Sequence, residues 1–137
     1  MSSRGAYTRN GHVTTAEYKP KLDSDGKPLR VYDAVVLVGQ DTRHHSLPDY
    51  AHTPGSKYIK EGPDGTFREL RDYDKRGKVF IEIGYHPENT LAPRGKKVLH
   101  YHTYGPNLER KMGGRISETE NSEIYKRYKK YLEVYGL

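Results

Sequence analysis

Apolar and polar residues alternate along Val79-Phe80-Ile81-Glu82-Ile83-Gly84-Tyr85, with Val79, Ile81, Ile83 and Tyr85 on one face and Phe80 and Glu82 on the other. A period of two is that of a half-buried strand. Ahead of it, Phe67-Arg68-Glu69-Leu70-Arg71-Asp72-Tyr73 reads as a partner strand, joined through the turn Asp74-Lys75-Arg76-Gly77. Together they make a β-hairpin, and His100-Tyr101-His102-Thr103-Tyr104 follows as a third strand. Upstream, the β-branched run over 31–38 predicts a strand buried on both faces, and 57–60 a short strand closed by the turn Gly62-Pro63-Asp64-Gly65. The stretch from Gly105-Pro106 to Gly113-Gly114 predicts no sustained regular structure.

At the C-terminus the period changes. Ile124, Tyr128, Tyr131 and Tyr135 fall at offsets of 4, 7 and 11, and Leu132 widens the stripe. That is one face of a helix. Ser117-Glu118-Thr119-Glu120 fits a capping box for its start, and Gly136 stops it. Residues 1–28 hold no period and predict an extended or disordered N-terminal arm, with an Asp-Gly turn at 23–28. The fold class is therefore α+β: an antiparallel β-meander of about four to five short strands packed against a C-terminal α-helix, as one domain over 29–137.

Composition narrows the class. One third of the 137 residues are apolar and 31% are charged, so the core is small. With no cysteine there is neither a disulfide framework nor a thiolate metal site, which fits a reducing cytoplasm. No apolar run reaches the roughly 20 residues that cross a bilayer, so no membrane is expected as a partner. A net charge of +6 makes a polyanion such as nucleic acid a candidate partner, beside a phage or host protein, because basic side chains release counterions from phosphates. Thirteen tyrosines interleaved with Lys and Arg fit base stacking as well as they fit a thin core.

His100 and His102, two apart on a strand, share a face at about 6 to 7 Å. His86 lies just past the end of the neighbouring strand, near enough to join them. Two imidazoles on one face serve as general base and acid in phosphodiester cleavage, and cations must balance the developing phosphate charge. The candidate catalytic set is His86, His100, His102 and Arg71. Candidate nucleic-acid contacts are Tyr85, Arg94, Lys96, Tyr104, Lys126 and Lys130. No metal or other cofactor is assigned, because nothing fixes a fourth ligand; Glu82 and Asp72 are alternatives, and a divalent ion at the histidines stays open. His44, His45 and His52 fall in a loop and read as incidental. Neither a phosphate-cradling glycine loop nor a nucleophile elbow is present in the sequence.

Met1 to Ala6, Leu47-Pro48, Thr53-Pro54-Gly55-Ser56-Lys57-Tyr58, Tyr73-Asp74-Lys75-Arg76-Gly77-Lys78, His86 and His100-Tyr101-His102 together resemble a group of small uncharacterised proteins of Firmicutes phages and prophages. The Tyr-Asp-x-x-Gly strand followed by His and His-x-His is also similar to parts of C-terminal domains of bacterial polymorphic toxins. The resemblance implies a phage-associated setting, in the host cytoplasm or the virion, and a nuclease-like toxin domain, but no established activity; the histidine pair itself reads as the acid and base of a metal-independent ribonuclease-like domain. Its alternative is a non-enzymatic accessory protein that binds DNA or a phage or host protein. The group carries further histidines between the two strands, where this chain has none from Pro87 to Lys97.

Overall fold

Alternation over the middle of the hairpin places Leu70 and Ile83 opposite one another on one side and Arg71 and Glu82 opposite one another on the other, before the ladder shifts register between Asp72 and Tyr73, and the sheet grows outward from that pair in both directions. The computed structural model describes residues 7–9, 12–14, 18–39, 47–51, 53–62, 64–88 and 90–137. His44, His45, His52 and Met1 to Ala6 lie outside the described residues.

In chain order the elements are β1 (Tyr7–Arg9), β2 (His12–Thr14), β3 (Tyr18–Pro20), β4 (Arg30–Val31), β5 (Ala34–Gly39), β6 (Lys57–Glu61), β7 (Phe67–Tyr73), β8 (Val79–Pro87), β9 (Lys97–Tyr104), β10 (Arg110–Arg115) and α1 (Ser122–Val134). β1 and β2 form a separate two-stranded ribbon. The main sheet has eight strands in the order β10-β9-β8-β7-β6-β5-β3, with β4 paired to β5. The fold is α+β, but it is larger than a four- or five-stranded meander and not wholly antiparallel, since β5 and β6 run parallel.

Several expected boundaries move for local reasons. The run over 31–38 is two strands, because Tyr32, with φ 56, and Asp33 make a tight turn between β4 and β5. Within the N-terminal stretch, β3 is extended, yet it is paired with β5 as an edge of the main sheet. The glycine pair at 113–114 does not end regular structure. It forms a bulge in β10, where a Cβ at Gly113 would lie 2.3 Å from the Tyr101 carbonyl oxygen. Only glycine lets the edge strand approach β9 so closely. The Ser117 hydroxyl does accept the Thr119 and Glu120 amides, but in a turn that precedes the helix, and Asn121 in the left-handed region is its N-cap. At the other end Leu137 N–H bonds Leu132 O and Gly136 N–H bonds Glu133 O, a Schellman stop.

Helix α1 covers one face of the sheet. Tyr125, Tyr128, Tyr131 and Leu132 pack with Val36, Ile59, Leu70, Ile81 and Ile83. Two of its phenols and that of its C-cap residue reach down to carboxylates: Tyr128 to Asp72 (2.7 Å), Tyr131 to Asp33, and Tyr135 to Glu61 (2.6 Å). A second apolar cluster, Leu37, Leu47, Tyr58, Tyr73 and Val79, lies apart from the helix. Val79, expected on the face of Ile81 and Ile83, belongs to it because the ladder shifts register between Asp72 and Tyr73, and the rest of that side of the strands carries polar residues.

Candidate functional site on the polar face of the sheet

Ladder register assembles the polar face in two rows. One runs Tyr58, Arg71, Glu82, His102, Met112 from β6 to β10; the next runs Lys60, Glu69, Gly84, His100, Arg115. Residues opposed in a ladder share a face, so the His-x-His spacing brings both imidazoles against Glu82 and Gly84. His86, paired with Val98, extends the same face and lies inside β8 rather than beyond its end.

His100 and His102 are 0% and 3% exposed. The rings of His86 and His100 meet edge to face at 4.6 Å, and those of His100 and His102 at 5.1 Å. Gly84 makes the first contact possible. A Cβ there would stand 2.9 Å from His86 Nε2 and 3.2 Å from His100 Cε1. Nδ1 of His100 donates to the Val98 carbonyl at 2.8 Å, which leaves Nε2 as the free nitrogen. His100 Nε2, both ring nitrogens of His102 and Oε1 of Glu69 are buried with no hydrogen-bond partner among the described residues. Buried polar atoms are nearly always paired, so four orphans on one face mark it as unusual.

Glu88 joins this cluster from the loop after β8. Its backbone carbonyl accepts the Leu91 and Ala92 amides, a turn that folds the loop back. Among the described residues, one ligand atom each from Glu88, His100 and His102 lie within 4.8 Å of one another. Sequence reasoning passed over Glu88 because it sits outside the strand periodicity; its signal was the His86-x-Glu88 spacing at the end of a strand.

Arg71 is buried, with its guanidinium engaged by the protein itself. Its Nε donates to Glu82 Oε1 (2.8 Å), Nη1 to Asp49 Oδ1 (3.1 Å) and Leu47 O (2.9 Å), and Nη2 to the Tyr104 hydroxyl (2.9 Å). The 47–51 segment is held there by Val79 N–H to Asp49 O and Ala51 N–H to Gly77 O. Burial alone would raise Glu82, but the Arg71 charge and hydrogen bond outweigh it and keep the carboxyl below its ordinary value. Glu69 is pushed the other way, by burial and then by the Glu82 charge.

Of the expected nucleic-acid contacts, Tyr104 lies on the polar face, its ring under the Arg71 guanidinium at 5.1 Å and its hydroxyl pushed up to about 12, chiefly by burial. Arg94 and Lys96 are exposed on the β8–β9 loop that carries Glu88. Tyr85 lies on the opposite, helix-covered face, with Lys97 Nζ 5.6 Å from its ring, and does not border the histidines. An open depression of about 390 Å³ there, lined by Thr66, Phe67, Arg68, Tyr85 and Lys97, is likewise separate from them. Lys126 and Lys130 are exposed on α1, beyond that same face, and Lys130 stacks over Tyr32 at 5.0 Å.

Burial holds both His100 and His102 below the ordinary value of 6.5; the Val98 carbonyl opposes this at His100 and the Arg110 charge adds to it at His102. Below pH 6.5 these two residues therefore bind more protons in the unfolded chain than in the native one. The stability that these neutral imidazoles support is full above that pH and falls as pH drops through their native values. In chelator-containing buffer, the stability advantage of the native protein over His102→Gln should shrink between pH 7 and 5 in urea melts. A constant advantage would mean that His102 does not titrate differently on folding.

The site is thus a histidine–carboxylate cluster on the polar face of an open sheet. No family model, curated protein or solved structure matches the chain. Among the described residues no helix is long and apolar enough to cross a membrane.

Proposed function

We propose that this protein acts on nucleic acid, hydrolysing phosphodiester bonds at the polar-face histidine cluster. The observation that carries this reading is the convergence of His86, His100 and His102, edge to face, beside Glu88. His100 and His102 lie too deep to serve as the acid and base that touch substrate, so the metal-independent pair expected from the sequence is set aside. His86 is only partly buried, and its Nδ1 donates to the Pro87 carbonyl at 3.1 Å, which leaves Nε2 as the basic nitrogen. A water proton passes to that nitrogen as the water oxygen bonds to phosphorus. The P–O bond to one sugar oxygen breaks, and that oxygen takes a proton from solvent. Exposed Arg94 and Lys96, with half-exposed Arg110 reaching Glu82 at 3.5 Å, supply cations at the rim. The setting is a phage-encoded protein in the host cytoplasm or the virion.

The test is cleavage of labelled single- and double-stranded RNA and DNA, with and without divalent metal. His86→Ala, folded by circular dichroism, should lower turnover about 10²- to 10⁴-fold, the usual contribution of a general base. Absence of cleavage by the native protein on all four substrates would end the reading. Salt-dependent binding without turnover would replace it with a non-enzymatic nucleic-acid-binding module.

A further inference from the structure

We infer that His100, His102 and Glu88 form a site for one divalent transition-metal ion of the zinc class, with His86 beside it and outside the ligand set. This deepens the proposed function by naming the cofactor of the same site, and it rests on that reading for its purpose but not for its geometry.

Three observations meet here. The ligand atoms of the three residues lie within 4.8 Å of one another, and Glu88 is itself only partly buried. Two of the ligands are fully enclosed, at 0% and 3% exposure, and yet His100 Nε2 and both nitrogens of His102 find no hydrogen-bond partner among the described residues. An imidazole sealed from water with its lone pair unused is at a loss unless a cation takes that pair. Finally, the His100 Nδ1–H to Val98 carbonyl bond at 2.8 Å is the outer-shell contact that fixes a metal-binding tautomer and aims Nε2 away from the backbone.

The donor set chooses the metal. Two imidazoles and one carboxylate, with no thiolate, suit zinc, cobalt or iron and not the all-oxygen sites of magnesium or calcium. Three protein ligands leave a position open, as in catalytic rather than structural zinc sites. A bound ion of this kind lowers the pKa of its water toward neutrality, which is the chemistry that a phosphodiester hydrolase lacks when its buried imidazoles cannot touch substrate. Glu82, opposite His102, adds negative charge on the same face, with Arg71 and Arg110 as its cations and with Lys60 and Arg115 along the His100 row.

The full chain, stripped with EDTA and dialysed, is titrated with Zn²⁺ by calorimetry and with Co²⁺ by visible absorption, with Mg²⁺ as control. One Zn²⁺ per chain is expected, with His100→Ala or His102→Ala weakening it by more than about 100-fold and Glu88→Gln by about 10-fold or more, while His86→Ala still binds one ion. Because the histidine variants remove buried side chains, imidazole nitrogen NMR of the native protein supplies a second reading: Zn²⁺ should perturb His100 and His102 and leave His12 unmoved. No Zn²⁺ binding by the native protein, or perturbation confined to other histidines, overturns the inference. Zn²⁺ bound with no cleavage of any nucleic acid leaves it standing and ends the hydrolase reading. Cleavage that persists in EDTA with no ion bound ends the inference and keeps the hydrolase.

Discussion

Arg71→Ala should destabilise the protein by about 3–5 kcal/mol in urea unfolding, the cost of leaving buried charges without their partner. Arg71 is 3% exposed and faces Glu82 and Asp49, themselves 2% and 3% exposed, so its removal takes a buried cation away from two buried carboxylates. It also strips donors from the Leu47 carbonyl and the Tyr104 hydroxyl, which pin the 47–51 segment and the end of β9. A domain of this size has about 5–15 kcal/mol in hand, so the variant sits near its limit at room temperature. Replacing Arg71 and Glu82 together with apolar residues of similar volume, Arg71→Met with Glu82→Leu, should recover part of the loss, since of the two carboxylates Asp49 alone is then left facing the site of the lost cation. An Arg71→Ala protein of native stability that merely lost affinity for a polyanion would return Arg71 to the substrate-binding role its sequence position suggested.

Tyr128→Ala should cost about 3–5 kcal/mol, as large-to-small changes of fully buried aromatic side chains do. Tyr128 is 0% exposed at the centre of the helix–sheet interface, and its hydroxyl donates to Asp72 at 2.7 Å. Tyr128→Phe keeps the ring and removes only that bond to a carboxylate, for about 1.5–3 kcal/mol. The difference between the two variants separates packing from the hydrogen bond. Equal losses would mean that the ring contributes nothing and that α1 is held by its tyrosine-to-carboxylate bonds alone.

What could be read in the chain beforehand was what periodicity records. The hairpin of β7 and β8, the histidine strand β9 and the tyrosine stripe of α1 each repeat over enough residues to declare their faces. β10 escaped because Gly113 and Gly114 read as breakers, although the close approach to Tyr101 is what requires glycine there. The parallel pairing of β5 with β6 escaped because a parallel neighbour is chosen by the crossover path and not by either strand's own pattern. Arg71 was legible as a strand cation, but its acceptors come from Leu47 and Asp49, in an aperiodic loop that sequence separation hides. For the same reason the histidine pair was visible and its third partner, Glu88, was not.

The account turns on whether the enclosed imidazoles hold an ion. Crystals grown with Zn²⁺ and measured on both sides of the zinc absorption edge decide it. One anomalous peak at about 2.0–2.2 Å from a ring nitrogen of His100, a ring nitrogen of His102 and a carboxylate oxygen of Glu88 is the predicted result. A map with no peak among those three residues, or with zinc only at exposed histidines, would contradict it.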